Sequence, residues 1–365
     1  MLRKISIQGF KSIKSLELEL GPLNILIGAN GAGKSNLLSF FKMLNEMMAG
    51  RLQQFIGSAG RAQSILHYGP KITPQIEACL VFEVERGTNI YTMRLFHAAG
   101  DTLIFADEAG SFQQTGTQFP KRDAFGSGHQ ETLMNSMADG GNQTAKVLRF
   151  LLNRCRVYHF HDTSATSEVR QSCYVGDNRW LMPDAGNLAA MLLRYRNENT
   201  HSAYDRIRNT VRLIAPFFDD FELSPDESQR VILNWREKGS DRVFGPHQLS
   251  DGTLRAICLT ALLLQPTSEL PHLILVDEPE LGLHPYALNV IAALFSKASL
   301  DTQILISTQS SSFLDSFDPE DVIAVDRRGK ESTFTRLEPT QLEAWLDEYT
   351  LGEVWEKNVI GGGPH

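Results

Sequence analysis

The hydrophobic pattern along this chain separates two kinds of strand. Short apolar runs predict buried parallel strands: Leu23-Asn24-Ile25-Leu26-Ile27, Leu273-Ile274-Leu275-Val276 and Gln303-Ile304-Leu305-Ile306. Residues 2–20 predict two strands around a turn, with Leu2, Ile5 and Ile7 on one arm and Leu16, Leu18 and Leu20 alternating with acids on the other. Gln75 to Glu85 and Ile90 to Phe105 alternate and read as antiparallel strands. Helical spacing marks residues 36–49, 144–153, 187–216 and the stretch from Ser250 to Leu264. Within 187–216, Leu188, Met191, Leu192 and Tyr195 share one face, and Ile207, Val211 and Ile214 another. Arg156 to Asp162 reads as a strand leaving the core, and Phe221–Leu223 and Arg230–Trp235 as short strands. Residues 106–143 are rich in Gly, Ser, Gln and Asp without clear periodicity, which predicts a long surface excursion. No sustained heptad and no internal repeat is visible.

Composition narrows the class. The 365 residues are 42% hydrophobic and 21% charged, as in a globular protein with a sizeable core. A net charge of −8 argues against broad coating of nucleic acid and leaves a local basic patch as the route to DNA. Arg194, Arg196, Arg206, Arg208 and Arg212 form the one basic stretch. Cys79, Cys155, Cys173 and Cys258 make no C-x-x-C pair, so neither a zinc ribbon nor a disulfide framework is indicated. The first residues alternate like a strand rather than forming an apolar signal core, and no apolar stretch is long enough to span a bilayer. The expectation is a cytoplasmic protein without membrane contact.

One stretch carries explicit chemistry. Gly28-Ala29-Asn30-Gly31-Ala32-Gly33-Lys34-Ser35 fits G-x-x-x-x-G-K-[ST] and sits between a strand and a helix. Its glycines let backbone N–H groups turn toward phosphate oxygens. Lys34 suits the β- and γ-phosphates of a nucleotide, and the Ser35 hydroxyl suits Mg²⁺. Lys11, in the turn of the first hairpin, can point toward the same nucleotide. Ser250 and Gly252 open a helix whose start suits a γ-phosphate. Asp277 and Glu278 end a buried strand, where the first can complete a Mg²⁺ shell and the second can polarise an attacking water. Gln309 ends another such strand and can sense the γ-phosphate. His159 and His161 share one side of a strand with Asp162 nearby, a metal pair without a third spaced ligand.

This order of motifs resembles the ATP-binding-cassette (ABC) ATPases, in the SMC/RecF/OLD-like branch. By that resemblance Gly28–Ser35 is the Walker A loop, with Asn30, Gly31, Ala32, Gly33, Lys34, Ser35 and Asn36 at the nucleotide. Leu249–Thr253 is the signature in place of L-S-G-G-Q. Leu273–Glu278 is Walker B with Glu278 as catalytic base, and Glu280–Pro285 is the D-loop, which brings His284 to the nucleotide. Gln309 stands where a switch histidine is usual, which implies slow hydrolysis, since an amide takes up no proton near neutral pH. Gln75 is the best candidate for the Q-loop glutamine. The Phe10-Lys11-Ser12 turn and the segment Trp345 to Lys357 also look like this branch.

The resemblance implies an α/β fold: an ABC-ATPase head, built from a P-loop core sheet plus an antiparallel β lobe, with a helical insertion between Walker A and signature. Residues 1–180 and 217–365 would form the discontinuous head and 181–216 the insertion or lid. The nearest kin look like small stand-alone bacterial ATPases. With little chain after the switch strand and no long coiled coil, neither a Toprim nuclease nor an SMC arm is expected. Also implied are ATP and Mg²⁺, and a head-to-head homodimer with two ATPs at its interface, open to stacking into higher oligomers. The dimer would switch a DNA-bound or effector-bound assembly in genome maintenance or anti-phage defence, with an effector protein encoded nearby and DNA held through Arg194–Arg212. The alternative is a slow or non-hydrolysing scaffold that restrains a toxic or nuclease partner. A transporter ATPase is disfavoured by the long separation of Ser35 from Leu249.

Overall fold

The computed structural model describes residues 1–117, 119–198 and 201–363, without the side chain of His201. Parts of the expected excursion (residue 118), of the helical stretch (199–200) and of the head boundary (364–365) lie outside them. A six-stranded sheet forms the centre, in the order Glu331–Arg336, Val322–Arg328, Leu23–Ile27, Gln303–Thr308, Leu273–Asp277, Cys155–Tyr158. Every neighbouring pair is parallel except the first, an edge hairpin. A second six-stranded sheet is antiparallel throughout, in the order Ile13–Glu19, Leu2–Phe10, Gln75–Val84, Gly87–Ala98, Thr102–Gln114, Lys121–Gly126.

The unbroken apolar runs form central strands because both faces of the parallel sheet are covered. Side chains alternate between the faces. Ile25, Ile27, Ile274, Val276, Ile304 and Ile306 enter one core cluster with helices Leu188–Asn197, Asp251–Leu263 and Pro285–Ala298. Leu26, Leu273, Leu275, Leu305 and Ile323 enter the other, with helix Lys34–Met48 and the inner face of the antiparallel sheet. Asn24 interrupts its run without a buried unpaired group. Its amide donates to the carbonyls of Gly21 (2.9 Å) and Ile304 (3.0 Å), and its oxygen accepts from Arg336.

Residues 106–143 are not a surface excursion. They contribute to strand Thr102–Gln114 and contain strand Lys121–Gly126 and helix Met134–Asp139. The periodicity is hidden for two physical reasons. A bulge opposite Arg94–Leu95 shifts the alternation of the 102–114 strand. That strand also buries a carboxylate: Glu108 accepts from Tyr91 Oη at 2.8 Å and from the Leu133 N–H at 3.1 Å. The polar stretch after Gly50 likewise contains helices Leu52–Ser58 and Arg61–Ile65.

Between the phosphate-binding loop and the Ser250 helix, the helices Leu188–Asn197 and His201–Ile214 share the first core cluster with helix Asp251–Leu263. Among the described residues no helix is long and apolar enough to cross a membrane. The parallel strands all deliver their C-terminal ends to one edge, where Gly28, Gln309, Asp277 and His159 follow or end them.

Candidate functional site

The loop from Gly28 to Ser35 leaves strand Leu23–Ile27 and enters helix Lys34–Met48 without a side-chain cap on its first turn. The Asn36 N–H donates to Gly33 O at 3.0 Å, which leaves the N–H groups of Lys34 and Ser35 at the helix start for an anion. Gly33 takes a φ of 115°, and a Cβ there would collide with Ser332 Oγ. Ser332 supports the loop from behind: its hydroxyl donates to Ala32 O at 2.5 Å and meets Ser12 Oγ at 2.6 Å, to which Asn36 Nδ2 donates. Lys34 is 5% exposed, and its ammonium donates to Gly28 O at 2.5 Å and Ala29 O at 3.2 Å. Burial pushes its pKa below the ordinary lysine value, while Glu278, Asp277 and Glu280 pull it back up.

These three carboxylates bring the second half of the site to Lys34. Asp277 ends strand Leu273–Asp277, in register with Ser307 of the neighbouring strand. Its Oδ1 is buried without a hydrogen-bond partner, and its carbonyl lies 3.0 Å from His161 Nε2. Glu278 takes a φ of 38°, and its N–H donates to Ser307 O at 2.7 Å. That left-handed geometry is costly for glutamate and is held by the surrounding strands. Gln309 Nε2 donates to Glu278 Oε1 at 2.8 Å, so the switch-position amide restrains the candidate base. Glu280 accepts from Thr308 Oγ1 at 2.5 Å and from the Gln309 N–H at 3.3 Å, and burial raises its carboxyl pKa.

Ser250 caps helix Asp251–Leu263, accepting from the Thr253 N–H at 3.2 Å, and is exposed. No hydrogen bond or ion pair among the described residues joins it or Gly252 to Lys34, Ser35, Asp277 or Glu278. Gly252 abuts the backbone before His284: a Cβ there would collide with the Gly282 carbonyl. His284 is exposed and caps helix Pro285–Ala298. Two arginines that sequence reasoning missed tie this region to the carboxylate edge. Arg255 donates to His161 O (2.8 Å), Phe160 O (3.2 Å) and Leu281 O (2.9 Å). Arg170, 4% exposed, donates to Thr163 O and Asp251 Oδ1, both at 2.8 Å, to Leu249 O at 3.3 Å and to Pro246 O. Only the arginine identity hinted at either, and no spacing rule selects them.

Several candidates are placed elsewhere or already engaged. Gln75 begins strand Gln75–Val84 of the antiparallel sheet and donates to Glu77. Lys11 takes a φ of 48° and donates to Ser39 Oγ at 2.6 Å, on the phosphate-loop helix. Three of the five clustered arginines pair with acids of the same chain, while Arg196 donates to Leu223 O and Arg206 to Leu264 O. Arg194 pairs with Glu269 at 2.5 Å, Arg208 with Asp205 and Asp220, and Arg212 with Asp219 at 2.7 Å. His159 Nε2 is buried without a partner, and burial lowers its pKa.

A family model described as an AAA ATPase domain matches residues 1–87. A second, described as an AAA domain, putative AbiEii toxin, type IV TA system, matches residues 158–315. No curated protein matches the chain. Among solved structures, an SMC head bound to the C-winged helix domain of ScpA superposes with a TM-score of 0.64 at 15% identity, over 94% of this chain and 99% of that one. An SMC head with an extended coiled coil, bound to the C-terminal domain of ScpA derived from Pyrococcus furiosus, gives 0.61 at 14% identity, over 95% and 98%. At these identities the likeness concerns the fold: a mixed, mostly parallel sheet with an antiparallel β lobe, as in SMC heads. Two AAA ATPase family models, one of them described as a putative AbiEii toxin of a type IV TA system, thus match separate parts of the chain, and the chain shares its fold with SMC heads.

Proposed function

We infer that this chain binds and hydrolyses ATP with Mg²⁺ as a head-to-head homodimer whose closure switches a bound partner. One observation carries the reading: a buried, unpartnered Asp277 carboxylate oxygen stands with Glu278 beside the Lys34 ammonium. A buried polar atom without a partner calls for a ligand. Asp277 and the exposed Ser35 hydroxyl would hold Mg²⁺, which supplies charge neutralisation at the phosphates. Lys34 would bind the β- and γ-phosphates, and Glu278 would accept the proton of the attacking water. Ser250, Gly252 and His284 are exposed or half-exposed, and none is joined to this cluster by a hydrogen bond among the described residues. In this reading they serve the nucleotide of the second copy.

Residues 181–216 would then be an insertion in a head made of 1–180 and 217–365, offered to a partner. DNA at Arg194–Arg212 would have to displace Glu269, Asp219 and Asp220. An effector protein encoded nearby therefore ranks above DNA, in genome maintenance or defence; the family description that mentions a putative toxin supports the defence side. Calorimetric titration of ATP with Mg²⁺ tests the reading. Lys34→Ala should weaken binding about a hundredfold, the scale for losing one partner of a desolvated charge contact. Equal affinities would remove Lys34 from the site.

The Gln309–Glu278 hydrogen bond favours a second reading, in which the base is held back. The chain would then be a slow or non-hydrolysing scaffold that oligomerises on ATP and restrains a toxic or nuclease partner. Turnover separates the two: stimulation by partner or DNA supports the switch, and negligible turnover with tight partner binding supports the scaffold.

A further inference from the structure

The phosphate loop is gripped by a segment from the far end of the chain. Ala29 donates its N–H to Gly362 O at 2.8 Å, and Trp355 Nε1 donates to the same carbonyl at 2.9 Å. The indole is 4% exposed and belongs to the first core cluster, so the carbonyl is anchored to the interior. The approach is close. Gly362 takes a φ of 66°, and a Cβ there would collide with the Val325 carbonyl, beside the Cα of Gly28. A Cβ on Gly28 would meet that same carbonyl. Gly28, Val325 and Gly362 thus form one backbone contact with no room for a side chain.

The other end of this segment is fixed beside the switch position. Helix Leu351–Glu356 starts at Thr350, which exchanges two hydrogen bonds with Glu353. The Gly352 N–H donates to Asp315 Oδ1 at 2.7 Å, and a Cβ there would collide with Ser311 O. Ser311 begins helix Ser311–Leu314, which is capped by Ser310, the residue after Gln309. After helix Leu351–Glu356 the chain turns at Asn358, with a φ of 57°. The Asn358 N–H donates to Trp355 O at 2.8 Å, and its Oδ1 accepts from the Gly363 N–H at 3.0 Å. Residues 350–363 therefore run from the helix after Gln309 to the backbone of Ala29, bonded at both ends.

Lys34 holds the same backbone. Its ammonium donates to Gly28 O and Ala29 O. An ammonium that turns to the β- and γ-phosphates gives up those carbonyls. Among the described residues, the Gly362 carbonyl then remains as the hydrogen bond tying Ala29 to anything outside the loop. A phosphate cradle works only while its N–H groups stay aimed at one point. We propose that Trp355 and Gly362 are positioning residues for phosphate binding, and that residues 350–363 form a strap holding the phosphate loop to the helix after Gln309. The proposal rests on the ATPase reading and adds a part of the chain that touches no nucleotide.

Calorimetric titration of the full chain with ATP, and separately with inorganic tripolyphosphate, each with Mg²⁺, tests the strap at a temperature where the variants are folded. Gly362→Ala pushes the carbonyl off Ala29 and should weaken both ligands about tenfold, within the range for a buried group left unpaired. Trp355→Phe keeps a buried ring, removes the indole N–H and should weaken both about fivefold, the scale of one neutral hydrogen bond. Both ligands share the loss because the strap acts through the phosphate loop. Variants that unfold at lower temperature but keep both affinities within about twofold of wild type show a structural role alone and overturn the proposal. A loss confined to ATP also overturns it. Wild type supplies a readout that needs no variant: if the strap improves binding, binding must stabilise the strap by the same factor. The N–H groups of Asn358, Val359 and Gly363, all hydrogen-bonded within it, should exchange with deuterium more slowly at saturating ATP. Unchanged exchange there with ATP bound overturns the strap and leaves the phosphate-loop reading standing. A wild type that binds neither ligand overturns that reading and the strap together.

Discussion

Glu278→Gln should lower ATP turnover about a thousandfold while leaving ATP affinity nearly unchanged, the scale expected for removing a general base. The substitution keeps size and hydrogen-bonding reach but removes the group that accepts a proton. It falls at the residue that follows strand Leu273–Asp277 in a left-handed conformation, with its carboxylate held by Gln309 at 2.8 Å and its N–H by Ser307. Lys34 and Asp277 are not altered, so binding should survive. Phosphate release at saturating ATP reads the effect. A variant that turns over at the wild-type rate would place the base elsewhere, with Glu280 as the next carboxylate: its pKa is already raised by burial.

The second large effect concerns Arg170, which touches neither Lys34 nor Asp277 in any hydrogen bond or ion pair among the described residues. Arg170→Met should destabilise the chain by about 3 kcal/mol, because buried carbonyl acceptors lose a charged donor. The Asp251 pair adds little to that figure: the Asp251 side chain is 65% exposed, and water screens it. The weight falls on Thr163 O, Pro246 O and Leu249 O, which this guanidinium gathers around the start of the Ser250 helix. Urea denaturation followed by tryptophan fluorescence measures the change. A loss below about 1 kcal/mol, no more than an ordinary surface substitution costs, would show that water satisfies those carbonyls. ATP affinity of the variant should match wild type, since the Lys34 side of the site is untouched.

The parts of the site that depend on short spacing were legible in the sequence. A glycine loop between strand and helix, an acidic strand end and a capped helix start are each written in consecutive residues. The parallel strands were legible for the same reason, since burial on both faces leaves unbroken apolar runs such as Leu273–Val276. What escaped depends on distant pairings. Strand Thr102–Gln114 carries a buried Glu108 that is satisfied by Tyr91, Thr132 and Leu133, so its polar residue reads as a loop. Arg170, Arg255 and Ser332 act through contacts that no local pattern encodes. The same holds for Gly362, whose carbonyl accepts from the Ala29 N–H at 2.8 Å and from Trp355 Nε1 at 2.9 Å and so ties the far end of the chain to the phosphate loop. The arginine stretch misled in the opposite sense. Its charges are clustered in sequence, but acidic residues from Asp205 to Glu269 already pair with most of them.

The central claim is that each nucleotide site is completed by a second copy of the chain, because no hydrogen bond or ion pair among the described residues joins the exposed Ser250 or Gly252 to Lys34, Asp277 or Glu278. Light scattering coupled to size exclusion, on Glu278→Gln with and without ATP and Mg²⁺, tests this most directly. The account predicts the 40.8 kDa mass of one chain without nucleotide and twice that mass with ATP, and a return to the single mass when Ser250→Arg is added. A mass that stays at 40.8 kDa with saturating ATP would contradict it.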